Sequence, residues 1–385
     1  MPGYRPALQR LFNTCFCAAI ALPLVLCFLP HSRVSWSERR YLADAPKWPT
    51  AGELLTTFPK EFDRFFGDHF GFRDLLLSVH YRLISGPLSA LIQHDALVGK
   101  DGWLFWGNEE ALVDIRGDRP PLSTAMLDNW MLSLELKKAW LNRRGIPFLL
   151  VIAPDKPSIY PEQLPDGIRA PIPTTGLDLL NRYLADKGVD WVLDLKPILL
   201  RRKQSAGGRL LYYPADSHWN YLGAYYAFEA ILEKLRSMGV RTPPARIREN
   251  ELIPSMDDRP AEFLANAPLT LVPRVPGFRL ASPAPDCIEA STIPAASLPV
   301  PSPDAFATNC RLGRGKVVVI GDSFVERLRP FLSSTFARVA FVPVGDQLMD
   351  SRPLIEAEHP DLVIYEVVER RLRLDSELWA WVVKP

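Results

Sequence analysis

From Ala125 onward the chain alternates helical stripes with short unbroken apolar runs, and that alternation leaves few folds open. Phe148–Ala153 reads FLLVIA and Lys316–Ile320 reads KVVVI; Val339–Val344 and Leu362–Val367 are similar, and Trp191–Leu193 is shorter. Such runs are too short for helices and suit strands buried on both sides. Between them, Leu127, Trp130, Leu134 and Leu141 mark one helical face ending near Gly145. Leu177, Leu180 and Leu184 mark a second, which stops at Gly188. Leu222, Tyr225, Ile231, Leu232 and Leu235 mark a third, ending near Gly239. Glycine just past the last apolar position is a helix-stop signal. The pattern predicts an α/β fold whose mainly parallel sheet is flanked by helices on both faces.

The N-terminus is different. Leu11–Leu29 reads LFNTCFCAAIALPLVLCFL, about the ~20 apolar residues that cross a bilayer. Arg5 and Arg10 precede it, while Arg33, Arg39 and Arg40 follow. A cleaved signal peptide and an uncleaved anchor both have this form. The anchor is the better reading, because no small-x-small cleavage site follows the run and bulky Leu26 precedes Cys27. This predicts an anchor at 1–31, a stalk and helical stem at 32–95, and the α/β domain at 96–385. In the stem, the apolar residues of Glu61–Leu83 suggest two short amphipathic helices with a break at Gly67 or Gly71. Lys100-Asp101-Gly102, between two apolar runs, reads as a hairpin turn.

Proline locates an insertion. Thirteen of the 37 prolines fall between Arg241 and Ala305, marking a long irregular connection at about 241–312. Cys287 and Cys310 are the two cysteines outside the apolar N-terminal segment. A disulfide closing this insertion in an oxidising compartment fits them; two unpaired thiols in a cytosolic protein is the other reading. Lys and Arg number 45 against 44 Asp and Glu, so no global charge favours nucleic acid.

Ligands of open α/β sheets bind beyond the carboxyl ends of the strands. After KVVVI come Gly321, Asp322 and Ser323, placing a serine at a strand-to-helix turn whose following amides suit an oxyanion. A serine nucleophile needs a base. Asp216-Ser217-His218-Trp219-Asn220 lies just before the third helix, with Asn220 as its N-cap. Residues two apart project to one side, so Asp216 can orient His218 toward Ser323. A plain capping cluster is the structural alternative. Asp-x-His supplies only two metal ligands, and no third is evident.

Further motifs accompany this pair. They are Asp68-His69-Phe70-Gly71-Phe72-Arg73, Val98-Gly99-Lys100-Asp101-Gly102-Trp103, Pro154-Asp155-Lys156 leading to Tyr160-Pro161-Glu162, and Glu366-Val367-Val368-Glu369-Arg370. As a set, from about Glu61 to Arg370, the chain resembles the AlgJ/AlgX family of alginate O-acetyltransferases, which have an SGNH hydrolase-like domain. The Asp-x-x-His that usually follows the serine in that superfamily is absent; Asp216 and His218 precede it instead. The resemblance implies an anchored, AlgJ-like O-acetyltransferase with its catalytic domain in the periplasm. Asp216, His218 and Ser323 would form its triad, and an exported polysaccharide would be its substrate. It also implies a membrane-bound O-acyltransferase partner that supplies acetyl groups, and no cofactor. Arg370 and Tyr160 match family positions and are candidate substrate contacts, with an ion pair or core packing as the equal alternative. An acetyl esterase using the same triad and a non-catalytic polysaccharide-binding scaffold are the competing readings.

Overall fold

The computed structural model describes residues 96–107, 122–165, 174–257, 275–281, 287–293, 305–343 and 351–372, a helical stretch at 56–71, and scattered positions elsewhere. The chain divides into two compact units, one of residues 1–93 with 264–271 and one of the remainder.

In the first unit, helix α1 (Phe58–His69) runs unbroken through Gly67. Asp68 accepts the Ala43 amide at 2.8 Å. The His69 ring lies 4.5 Å from that of Phe65, and its Nδ1 is 3.1 Å from the Phe65 carbonyl, both packing contacts. The second stem helix, expected near residue 75, lies outside the described residues, as does most of 11–29. Among the described residues no helix is long and apolar enough to cross a membrane.

The second unit begins with the expected hairpin, β1 (Ala96–Val98) and β2 (Leu104–Trp106), turned at Lys100–Gly102. Then follow α2 (Thr124–Asn142), β3 (Phe148–Ala153), α3 (Gly176–Asp186), β4 (Val192–Asp194), α4 (Lys196–Ser205) and α5 (Tyr221–Ser237). The insertion carries β5 (Leu252–Asp257), β6 (Val275–Leu280), β7 (Ile288–Ser291) and β8 (Phe306–Cys310). The chain closes with β9 (Lys316–Gly321), α6 (Val325–Thr335), β10 (Arg338–Pro343), α7 (Arg352–Glu358) and β11 (Leu362–Val368).

One seven-stranded sheet has the order β4-β3-β11-β9-β10-β8-β7. The five strands from β4 to β10 are parallel, whereas β8 pairs antiparallel with both β10 and β7. The sheet is therefore mixed, not mainly parallel as expected. The insertion causes the difference, because it returns along the sheet edge and adds two antiparallel strands there. Cys287 and Cys310 form a disulfide at that edge, and Cys310 pairs in register with Ile288. Nor is the insertion irregular throughout: β5 and β6 form a separate antiparallel pair. Their prolines, Pro254 and Pro276, are exposed on a ladder with no third strand to bond, the setting that tolerates proline.

Alternate residues of the apolar strands divide between two cores, as burial on both faces requires. Leu149, Val151, Val317, Val319 and Ile364 pack with α5 and α6, while Phe148, Leu150, Val318, Ile320 and Val363 pack with α2, α3 and α7. From the neighbouring strands β3 and β9 the chain winds toward opposite edges, and β11 fills the gap between them. The carboxyl ends of β3, β11 and β9 thus meet where the winding reverses, the usual place for a ligand crevice.

Candidate active site

Ser323 follows the carboxyl end of β9, two residues before α6, and its side chain is exposed. His218 is buried at the entrance of α5, where Asn220 caps the helix by accepting the Leu222 and Gly223 amides at 2.9 and 3.1 Å. The segment carrying it is a tight loop. Asn220 donates its amide to the Leu211 carbonyl at 2.8 Å, and Tyr213 donates to the His218 carbonyl at 3.2 Å.

Three side chains, distant or near in sequence, form one chain of hydrogen bonds. His218 Nε2 is 2.7 Å from Ser323 Oγ, and His218 Nδ1 is 2.6 Å from Asp216 Oδ1. Asp216 Oδ1 also accepts the His218 backbone amide at 2.9 Å. Burial alone would raise the Asp216 pKa, but the His218 ring and amide and the charge of Lys156 outweigh it, holding the carboxyl well below its ordinary value. Ionised Asp216 can only accept, so Nδ1 carries the proton and Nε2 offers a lone pair to the serine hydroxyl. The segments are also pinned to each other. The Trp219 indole donates to the Phe324 carbonyl at 3.0 Å, and the Phe324 ring lies 4.9 Å from that of His218.

The oxyanion site differs from the sequence expectation. Of the amides after the serine, Phe324 donates to Asp322 Oδ1 at 3.0 Å, Val325 to the Asp322 carbonyl at 3.1 Å, and Glu326 to the Ser323 carbonyl at 3.2 Å. The turn consumes its own donors. Among the described residues the amide of Ser323 itself has no acceptor, so it is the donor left for an oxyanion.

Arg370 and Tyr160 fare differently. Arg370, partly exposed, pairs with Asp155 at 2.7 Å and lies 5.4 Å above the Phe324 ring, one ring from His218. Tyr160 is 3% exposed, and its hydroxyl accepts the Leu211 amide at 2.9 Å. Burial raises its pKa to about 12. It is a packing residue beneath the His218 loop, where a substrate contact was expected.

Sequence reasoning missed the supports of this site. Lys156, fully buried, donates to the carbonyls of Tyr213, Pro214 and Asp216 at 3.2, 2.9 and 2.8 Å and also contacts that of Leu104. Glu366 and Glu369 rise from the end of β11. Glu369 Oε2 accepts the Asp155 amide at 2.9 Å and the Ser158 hydroxyl at 2.7 Å. Glu366 Oε2 accepts the Asp322 amide at 3.1 Å. The available signal was chemical: an acid sits inside the strand run LVIYEVV, and an adjacent acid and lysine, Asp155 and Lys156, follow FLLVIA after a single proline.

Burial first, then the neighbouring Asp155 charge, pushes Glu369 up to about 8; Lys196, Ser158 and the Asp155 amide pull the other way. Below its ordinary value of 4.5 the folded and unfolded chains are both protonated there. Between 4.5 and about 8 only the folded chain keeps the proton, so this group's contribution to stability declines as pH rises through that window. Thermal melting is expected to show the decline, and Glu369→Gln to flatten it. An unchanged slope in the variant would refute the assignment.

The comparisons agree with this architecture. Residues 96–368 match the family model described as "SGNH hydrolase-like domain, acetyltransferase AlgX". "Probable alginate O-acetylase AlgJ" of Pseudomonas aeruginosa is 24% identical over 354 residues, covering 85% of this chain and 82% of that protein. Among solved structures, Bacillus cereus PatB1 aligns with a TM-score of 0.52 at 13% identity, over 74% of this chain and 98% of that one. PatB1 with a sulfonyl adduct gives 0.50 at 14% identity, over 72% and 97%. At those identities the likeness is one of fold. The family match spans the hairpin, the sheet and the whole hydrogen-bonded cluster, and the chain belongs to the AlgJ/AlgX family of acetyltransferases with an SGNH hydrolase-like domain.

Proposed function

We propose that the protein O-acetylates hydroxyls of an exported bacterial polysaccharide through an acyl-enzyme on Ser323. The observation that carries this reading is the unbroken Asp216–His218–Ser323 hydrogen-bond chain ending in an exposed hydroxyl. His218 Nε2 takes the Ser323 proton as Oγ attacks the donor acetyl carbonyl. The Ser323 amide holds the developing oxyanion, and the leaving group departs with the proton from His218. A sugar hydroxyl then attacks the ester, gives its proton to Nε2, and Ser323 Oγ leaves and recovers it. Asp216 stays ionised throughout and stabilises the imidazolium.

The name of the Pseudomonas relative supports alginate or a similar polymer as acceptor. An exposed nucleophile supports a polymer as well, since a long chain can be presented to it without entering a closed pocket. The apolar segment at 11–29 supports an N-terminal inner-membrane anchor with the catalytic unit in the periplasm, and the Cys287–Cys310 disulfide fits that oxidising compartment. A membrane-bound O-acyltransferase would deliver the acetyl groups, with no cofactor required.

The test is incubation of the full-length chain with an activated acetyl ester and polysaccharide fragments, followed by mass spectrometry. Addition of acetyl mass to the fragments, lost in Ser323→Ala, is the expected result. Acetate release with no fragment gaining mass would favour the esterase. Unchanged acetylation of cell polymer in a Ser323→Ala strain would favour the scaffold.

A further inference from the structure

Glu366 interrupts the apolar strand β11 on the face shared with Leu362, Ile364 and Val368, at 1% exposure. An unpaired ionised carboxylate there would be very costly, so its partners define its role. From the serine turn, Asp322 donates its amide to Glu366 Oε2 at 3.1 Å. Asp322 in turn accepts the Val368 amide at 2.8 Å with Oδ2 and the Phe324 amide at 3.0 Å with Oδ1, and Arg371 lies 4.0 Å from Oδ2. Val151 is in register with Glu366 on β3, and Val325 of α6 lies across Gly321 from it. The approach is close. A Cβ on Gly321 would stand 2.9 Å from Glu366 Oε2 and 2.3 Å from Val325 Cγ2, so only glycine lets the turn settle on this acid.

We infer that Glu366 is a positioning residue that clamps the nucleophile turn through Asp322 and so leaves the Ser323 amide free for the oxyanion. The inference rests on the serine acyl-enzyme reading. The clamp turns the Asp322 amide inward to Glu366, and the Asp322 carboxylate then occupies the Phe324 amide. Ser323, between them, keeps the unclaimed donor and a hydroxyl in line with His218. Burial, then the adjacent Asp322 charge, raises the Glu366 pKa well above its ordinary value, with Arg371 only partly opposing. A neutral acid accepts the amide without setting two carboxylates against each other.

The test is steady-state hydrolysis of a chromogenic acetyl ester by the full-length chain. Glu366→Gln, which keeps a neutral acceptor at the same reach, is expected to stay within about threefold of wild-type kcat. Glu366→Asp withdraws the carboxyl by one methylene and is expected to lose about tenfold to a hundredfold in kcat, with KM within twofold. Melting curves confirm that both variants are folded, and Glu366→Gln alone decides the matter should Glu366→Asp fail to fold. Wild-type kcat in Glu366→Asp, or a loss in Glu366→Gln as large as that in Glu366→Asp, overturns the inference while Ser323→Ala remains inactive. Activity surviving in Ser323→Ala would overturn the serine reading and this inference together.

Discussion

Replacing Asp216 with asparagine is expected to lower kcat by about 10⁴-fold, the order reported when the orienting acid of a serine triad becomes an amide. Asp216 Oδ1 accepts from both Nδ1 and the backbone amide of His218. An asparagine that keeps its oxygen on those two donors has lost the negative charge that stabilises the imidazolium, and one that turns its NH₂ to Nδ1 forces the proton onto Nε2, the nitrogen that has to receive the Ser323 proton; either way the base is weakened in place. The substituted side chain has the same shape, so the melting temperature is expected to change little by comparison. Acetyl-ester turnover across pH, with thermal melting as control, checks this. Retention of more than a tenth of the activity would mean that Asp216 does not set the protonation of His218.

The second large effect is on stability. Lys156→Met keeps the length of the side chain and removes the charged donor from the carbonyls of Tyr213, Pro214 and Asp216. Hydrogen bonds from a buried charged group are worth ~1.5–3 kcal/mol each, so a total loss of about 3 kcal/mol or more is expected. For a domain of this size that is roughly 6–12 °C in melting temperature. Activity should fall too, by about tenfold to a hundredfold, because the loop carrying Asp216 loses its anchor. An unchanged melting temperature would show that the ammonium does not hold the loop.

The parts of the site written in contiguous residues were legible in the sequence. Asp216 and His218 are two apart in one tight loop, and Ser323 follows an unmistakable buried strand, so local geometry alone foretold where each would lie. The 2.7 Å contact between His218 and Ser323 joins residues 105 apart and belongs to the sheet. The mixed edge was hidden for a similar reason. Phe306–Cys310 reads FATNC, with no long apolar run, so nothing local distinguishes an antiparallel edge strand from loop. Tyr160 turns out to be buried, which a motif position alone does not reveal. Lys156, Glu366 and Glu369 stood in the motifs without a role, because nothing local shows that a charged residue is buried. Their burial is set by strands far apart in sequence: the Asp155–Glu369 bond spans 214 residues.

That separation also fixes an order of events in the making of the protein. β11 sits between β3 and β9, yet it is the last strand synthesised. Until it emerges, the growing chain has two flanking groups of strands and no slat to join them, and the serine turn lacks Glu366. Long-range pairing of this kind is slow, so a chain threading through a narrow channel would stay uncommitted until almost all of it had passed. A nascent chain stopped before residue 362 would hold His218 and Ser323 with the Trp219–Phe324 contact between them but without the strand that joins β3 to β9.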